Sequence, residues 1–191
     1  MIPTLSQAHL PPDEEARLLS RAAGDANAFG QLYQAYVKPV YRYLYARVGN
    51  PMDAEDLTAQ VFTQAFEGMA GYRHEGHFLA WLMAIARNRA IDFFRRRRPL
   101  VSLETFEALL STASPDRLDS ERADRLRLLA AAIQDLDDDD KELLRLRYAA
   151  GMPFQEIALL MHGQEAAIKK RLYRLLERIK HTLEGEIYAQ R

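Results

Sequence analysis

The chain has no cysteine at all, which excludes disulfides, a thiol nucleophile and thiolate zinc sites. It also has no run of eighteen apolar residues, and its first residues, MIPTLSQAHLPPDEEARLL, show no basic stretch followed by an apolar one. These two absences predict a soluble, cytoplasmic chain that does not insert into a membrane. An excess of one charge is lacking too: the formal net charge is -1 over 191 residues. Any affinity for a polyanion must therefore come from local patches rather than from a generally basic surface. β-branched residues are sparse and nothing alternates long enough for a strand, so the expected fold class is all-α. The length fits one large domain or two small ones with an adequate apolar core.

Enzyme signatures are missing in the same way. There is no glycine-rich phosphate loop, no serine elbow and no deeply apolar pair of carboxylates, so no catalysis and no cofactor is expected. The run His74-Glu75-Gly76-His77 could suggest a metal ligand pair, but a loop without a further nearby ligand reads better as surface histidines.

What is present is helical periodicity with two basic segments. A loose tail over residues 1–12, with Pro3, Pro11 and Pro12, precedes a short helix from about Asp13. A second helix, Ala26 to Val48, carries Phe29, Leu32, Tyr33, Tyr36, Val40, Tyr43 and Leu44 at helical spacing, with Pro39 as a point of bending. Asn50-Pro51 is a start signal for a third helix, with Asp53, Glu55 and Asp56 near its positive end. Leu57, Val61, Phe62, Ala65 and Phe66 form its apolar side. A glycine-containing loop, Gly68 to His77, leads into FLAWLMAIARNRAIDFFRRRR, Phe78 to Arg98.

That segment changes character along its length. Phe78, Trp81, Leu82, Ile85 and Ala86 share a face suited to a core, and beyond them six arginines between Arg87 and Arg98 oppose the single acid Asp92. Guanidinium groups among Trp81, Phe93 and Phe94 suit phosphates together with unstacked bases. A solvated, favourably charged helix end would have the same composition.

Between residues 99 and 119 the periodicity fails and Ser111, Thr112, Ser114, Pro115 and Asp116 mark a linker, with Leu103 to Leu110 as a short helix within it. This divides the chain into a first domain over 13–98 and a second over 120–185, ending in a tail over 186–191. In the second, a helix from Ser120 to about Leu136 precedes the acidic run Asp137 to Asp140, which reads as a solvated turn whose last members cap the next helix. A short helix, Phe154 to Met161, a turn at His162-Gly163 and a long helix from Gln164 to about Leu183 then follow. Ile168, Leu172, Leu175 and Ile179 form the buried stripe of the long helix. Lys169, Lys170, Tyr173 and Arg174 must then face outward, as in a helix lying in a major groove. A self-sufficient helix-turn-helix regulator and a helical adaptor for an acidic protein fit the same pattern.

With GDANAFGQLYQAYVKPVYRYL, AEDLTAQVFTQAF, the arginine segment and LLRLRYAAGMPFQEIALLM all in place, the sequence resembles the extracytoplasmic-function sigma factors of the sigma-70 family, from Asp13 to about Leu183. That resemblance implies core RNA polymerase as partner, through the β′ clamp helices and the β flap, together with promoter DNA and an anti-sigma factor. It assigns clamp binding to Asp53, Glu55, Asp56 and Gln60. It assigns minus-10 DNA to Tyr72, Arg73, His74, Phe78, Trp81, Arg87, Asn88, Arg95 and Arg96. Minus-35 DNA falls to Gln164, Lys169, Lys170, Arg171, Tyr173 and Arg174. Two departures stand out: Ala59-Gln60 replaces the usual Gln-Glu, and His162-Gly163-Gln164 replaces a turn that commonly reads Gly, apolar, Ser.

Overall fold

The computed structural model describes residues 10–73, 76–96 and 120–189, and these are helical with no strand among them. Residues 1–9, His74, Glu75, the segment 97–119 with its expected short helix, Arg97, Arg98, Gln190 and Arg191 lie outside the described residues.

Four helices make the first unit: α1, Pro12–Ala22; α2, Ala26–Val48; α3, Pro51–Gly68; and α4, Phe78–Arg96. Their boundaries follow from local chemistry. Asp25 accepts from the backbone N–H groups of Asn27 and Ala28, satisfying two donors that the first turn of α2 leaves free. Gly49 ends α2 at φ 75°, a left-handed conformation that costs glycine little. Asn50 caps α3 by accepting from the Asp53 N–H, with Pro51 pre-set for the first turn. A single 3-10 turn, Met69–Gly71, then leads toward α4.

The second unit contains α5, Ser120–Gln134; α6, Asp138–Leu144; a π turn, Arg145–Ala149; α7, Phe154–Leu160; and α8, Glu165–Ala189. Gly151 at φ 72° closes the π turn, and the Met152 N–H reaches back to the Leu146 carbonyl. Helices α5, α6 and α7 all pack on α8.

The core runs through both units. Leu32, Tyr36, Tyr43, Leu44, Leu82 and Met83 fill the first, and Leu143, Leu146, Met152 and Ile157 continue it into the second. Each large side chain buried in this way contributes about 1.5–3 kcal/mol. The units meet where α2 lies against the π turn and α4 against α7. Two positions read as apolar stripe are instead on the surface: Tyr33 is 42% and Phe66 49% exposed. Their rings cover the edge of the α2–α3 packing, with Tyr33 against Phe62 and Phe66 against Phe29. The acidic run also differs from a solvated turn. Asp137 caps α6 as expected, accepting from the Asp140 N–H, but Asp140 is buried.

Candidate nucleic-acid interface

At the start of α4 the chain builds an aromatic corner. Trp81 lies 4.7 Å from Tyr72 and 5.6 Å from Phe78 between ring centroids, and its ring edge passes 3.4 Å from where a Cβ at Gly68 would stand. Trp81 and Tyr72 are half-buried, so each keeps some ring surface toward solvent. Phe78 is only 1% exposed and packs on Tyr36. It therefore holds the Trp81 ring in place and offers no face of its own to a base.

A cleft of about 650 Å³ opens beside this corner, lined on one side by Tyr72, Arg73, His77, Trp81, Arg87 and Asn88. Leu159, Leu160 and His162 of the second unit line the other side. Asn88 and Arg73 are exposed. The spacing of Trp81, Ala84 and Asn88 along one helix turns them to the same side, toward the cleft. Arg95 and Arg96 extend exposed beyond the corner, and Arg95 forms a surface pair with Asp92 at 3.0 Å, an interaction worth little in water. Of the residues assigned to this surface, His74 lies outside the described residues. Arg89, which the sequence reading passed over, ties α4 to α3 by donating to Gln64 at 2.9 Å.

In α8 the stripe Ile168, Leu172, Leu175 and Ile179 is buried as expected. Gln164, Lys169, Lys170, Tyr173 and Arg174 are exposed together on the outer face. Arg171 does not join them. Its guanidinium is held by Asp140 at 2.6 Å, Asp137 at 3.1 Å and Asp139 at 3.6 Å. Arg178 also reaches Asp140, at 2.7 Å. Arg171 thus anchors α8 to α6. The preceding turn places His162 at φ 55°, a conformation uncommon outside glycine. At Gly163 an added Cβ would come within 3.3 Å of the Ile168 Cδ1, so a side chain there requires the Ile168 side chain to give by a few tenths of an ångström.

On α3, Glu55, Asp56, Ala59 and Gln60 are exposed and Asp53 is half-buried near the N-cap. The helix therefore displays one acidic, polar face while Leu57, Val61 and Phe62 enter the core. Among the described residues no helix is long and apolar enough to cross a membrane, and no cluster of three potential metal ligands occurs.

An aromatic corner beside arginines on one unit and a basic outer helix in a helix-turn-helix on the other define a two-part, all-α nucleic-acid-binding protein. Family models described as "Sigma-70 region 2" and "Sigma-70, region 4" match residues 32–99 and 126–179. The chain is 37% identical over 171 residues to the ECF RNA polymerase sigma factor BldN of Streptomyces coelicolor, covering 87% of this chain and 64% of that one. It is 31% identical to the RNA polymerase sigma factor CarQ of Myxococcus xanthus, covering 86% and 93%. The solved structure of CnrH, in complex with the cytosolic domain of CnrY, shares the fold with a TM-score of 0.67 at 24% identity, over 91% of this chain and 99% of that one. The chain belongs to the sigma-70 family, in its extracytoplasmic-function group.

Proposed function

We propose that the chain acts as a non-catalytic initiation factor in the cytoplasm. It joins core RNA polymerase through Glu55, Asp56 and Gln60 on α3, reads a minus-35 element with α8 and captures the non-template strand at the minus-10 element with α4. The domain limits that go with this reading are 13–98 and 120–185, separated by the linker 99–119. Contacts of the second unit to the β flap, and a protein inhibitor of the anti-sigma type, belong to the same proposal. CnrH, of like fold, was solved with the cytosolic domain of CnrY bound.

The observation that carries the reading is the aromatic corner. A half-buried Trp81, backed by Phe78 and flanked by Tyr72, Asn88 and Arg87, offers a ring, an amide and a cation within one cleft. Unstacking one base costs on the order of a few kcal/mol. One stacking contact and several charge-assisted phosphate contacts offset a cost of that size. Melting then needs no catalytic group, only differential affinity for the opened strand.

Permanganate footprinting of promoter complexes tests this. Trp81→Ala and Asn88→Ala should each reduce opening while leaving core binding intact. An equal loss of both activities in a folded variant contradicts the assignment of α4 to strand capture.

A further inference from the structure

Where the two units meet, a carboxylate is buried. Glu142, in α6, is 4% exposed. Tyr43 of α2 donates to its Oε1 at 2.6 Å, and Arg47 of α2 binds its Oε2 while also donating to the Tyr43 hydroxyl at 3.1 Å. Arg145, one turn on, lies 3.6 Å from Oε2, and Arg87 of α4 lies 3.8 Å from Oε1. Tyr43, Arg47 and Arg87 all belong to the first unit. The seam continues with Arg145 donating to the Ala46 carbonyl at 3.3 Å and Arg42 to the Tyr148 carbonyl at 3.4 Å.

This cluster holds one negative and three positive side chains. Arg47 and Arg145 are mostly enclosed, and burial pulls the Arg145 guanidinium below its ordinary range. Glu142 is the carboxylate in direct contact with all three, with Asp138 acting from farther off on Arg47 and Arg145, and it offsets the repulsion that buried like charges feel in a poorly screened setting. On the other side of the seam α7 lies against α4, with the Glu156 Oε2 buried and without a partner among the described residues. Leu159, Leu160 and His162 then face Tyr72, Trp81 and Asn88 across the cleft. A strand running over Trp81 to Arg87 would have to pass between α4 and α7. Arg87, which such a strand needs for its phosphates, lines the cleft but keeps its Nε 3.8 Å from the Glu142 carboxylate. The outer face of α8 remains exposed in the same arrangement.

We infer that Glu142 is a latch that holds the free chain closed, with α7 folded over the strand-capturing surface and Arg87 engaged by a carboxylate in the place of a phosphate. This rests on the strand-capture reading of α4. The latch keeps the polymerase-free chain from binding single strands, and separating the units releases α4 and rehydrates Glu142 together.

The absence of native cysteine permits a direct test. Cysteines introduced at the exposed positions Gln34 and His181, one on each unit, carry a donor and acceptor dye on the full chain, and energy transfer reports the separation. Affinity for a fluorescent, mixed-sequence single-stranded 15-mer is measured in parallel. Glu142→Gln removes the charge at nearly constant shape, and Tyr43→Phe removes one hydrogen bond should the first variant fail to fold. The latch predicts lower transfer efficiency and at least about tenfold tighter strand binding in Glu142→Gln, with a smaller shift the same way in Tyr43→Phe. Unchanged efficiency in the folded variants overturns the latch whatever the DNA does. Lower efficiency with unchanged strand binding overturns its inhibitory role. Adding Trp81→Ala to the opened chain separates that failure from a failure of strand capture, since it lowers binding only if the aromatic corner holds the strand.

Discussion

Arg171 Nε lies 2.6 Å from Asp140 Oδ1, across the angle between α8 and α6. The Asp140 side chain is 7% exposed and, among the described residues, has Arg178 as its one other cation partner. A buried carboxylate that loses one of two cations is left partly uncompensated. Arg171→Ala should therefore lower the stability of the second unit by about 1–3 kcal/mol. At a temperature where the variant is folded, its promoter preference should match that of the parent. Chemical denaturation followed by helical circular dichroism, beside a promoter competition assay, distinguishes this from a base-reading role. In that role, preference changes and stability does not.

The opposite result is expected on the outer face. Lys170→Ala or Arg174→Ala leaves the buried stripe of α8 untouched, so folding and core binding should persist. Use of promoters that depend on an upstream duplex element should weaken by about 1–3 kcal/mol where the side chain contacts a base, and uniformly across sequences where it contacts phosphate. Transcription and upstream preference that stay constant at several salt concentrations would place the reading face elsewhere.

His162 sits at φ 55° in the turn before α8. A β-carbon there costs roughly 1 kcal/mol relative to glycine, less the extra backbone freedom that glycine gives the unfolded chain. His162→Gly is expected to raise the stability measured by chemical denaturation slightly, by a few tenths to about 1 kcal/mol. Gly163→Ala should lower it, because the new methyl group would press on Ile168. A destabilising His162→Gly would show that the imidazole makes a contact worth more than the strain.

Glu156 gives the packed chain a pH dependence. Burial pushes its carboxyl from 4.5 up to about 7, with the Ala80 amide opposing that shift and Glu15 of α1 adding to it. Tyr36, hydrogen-bonded to Glu15, is the other titratable group in its field. An acid whose pKa is raised on packing stabilises the packed state fully below its ordinary value. That contribution declines as pH rises from about 4.5 and is lost above about 7. The whole effect is at most on the order of 3 kcal/mol. Glu156→Gln should remove the decline over this window. Parallel pH profiles of stability for parent and variant would contradict the placement of this carboxyl.

Much of this arrangement could be read in the sequence because its causes are local. The limits of α2 and α3 follow from Gly49, Asn50 and Pro51, and the buried stripe of α8 from a spacing of three and four residues. Trp81 and Asn88 also share a side for a purely helical reason. The misreadings have a common origin in partners distant along the chain. Tyr33 and Phe66 fit an apolar stripe, but whether a stripe edge is covered depends on which helix arrives beside it. Arg171 looks like its basic neighbours until α6 brings three aspartates to it. Phe78 reads as a possible base contact until Tyr36 closes over it. Glu142 carried no signal at all, since Tyr43 lies ninety-nine positions earlier.

Dependence on core polymerase is the most direct test. The isolated chain, with a net charge of -1 and small basic faces, should bind promoter duplex only weakly. Mixed with core enzyme and genomic DNA from its own organism, it should yield transcripts whose start sites share two upstream motifs at a constant spacing, and Asp56→Arg should abolish both core binding and these transcripts. Tight, specific duplex binding by the chain alone, with no transcripts above those of core enzyme, would contradict the account.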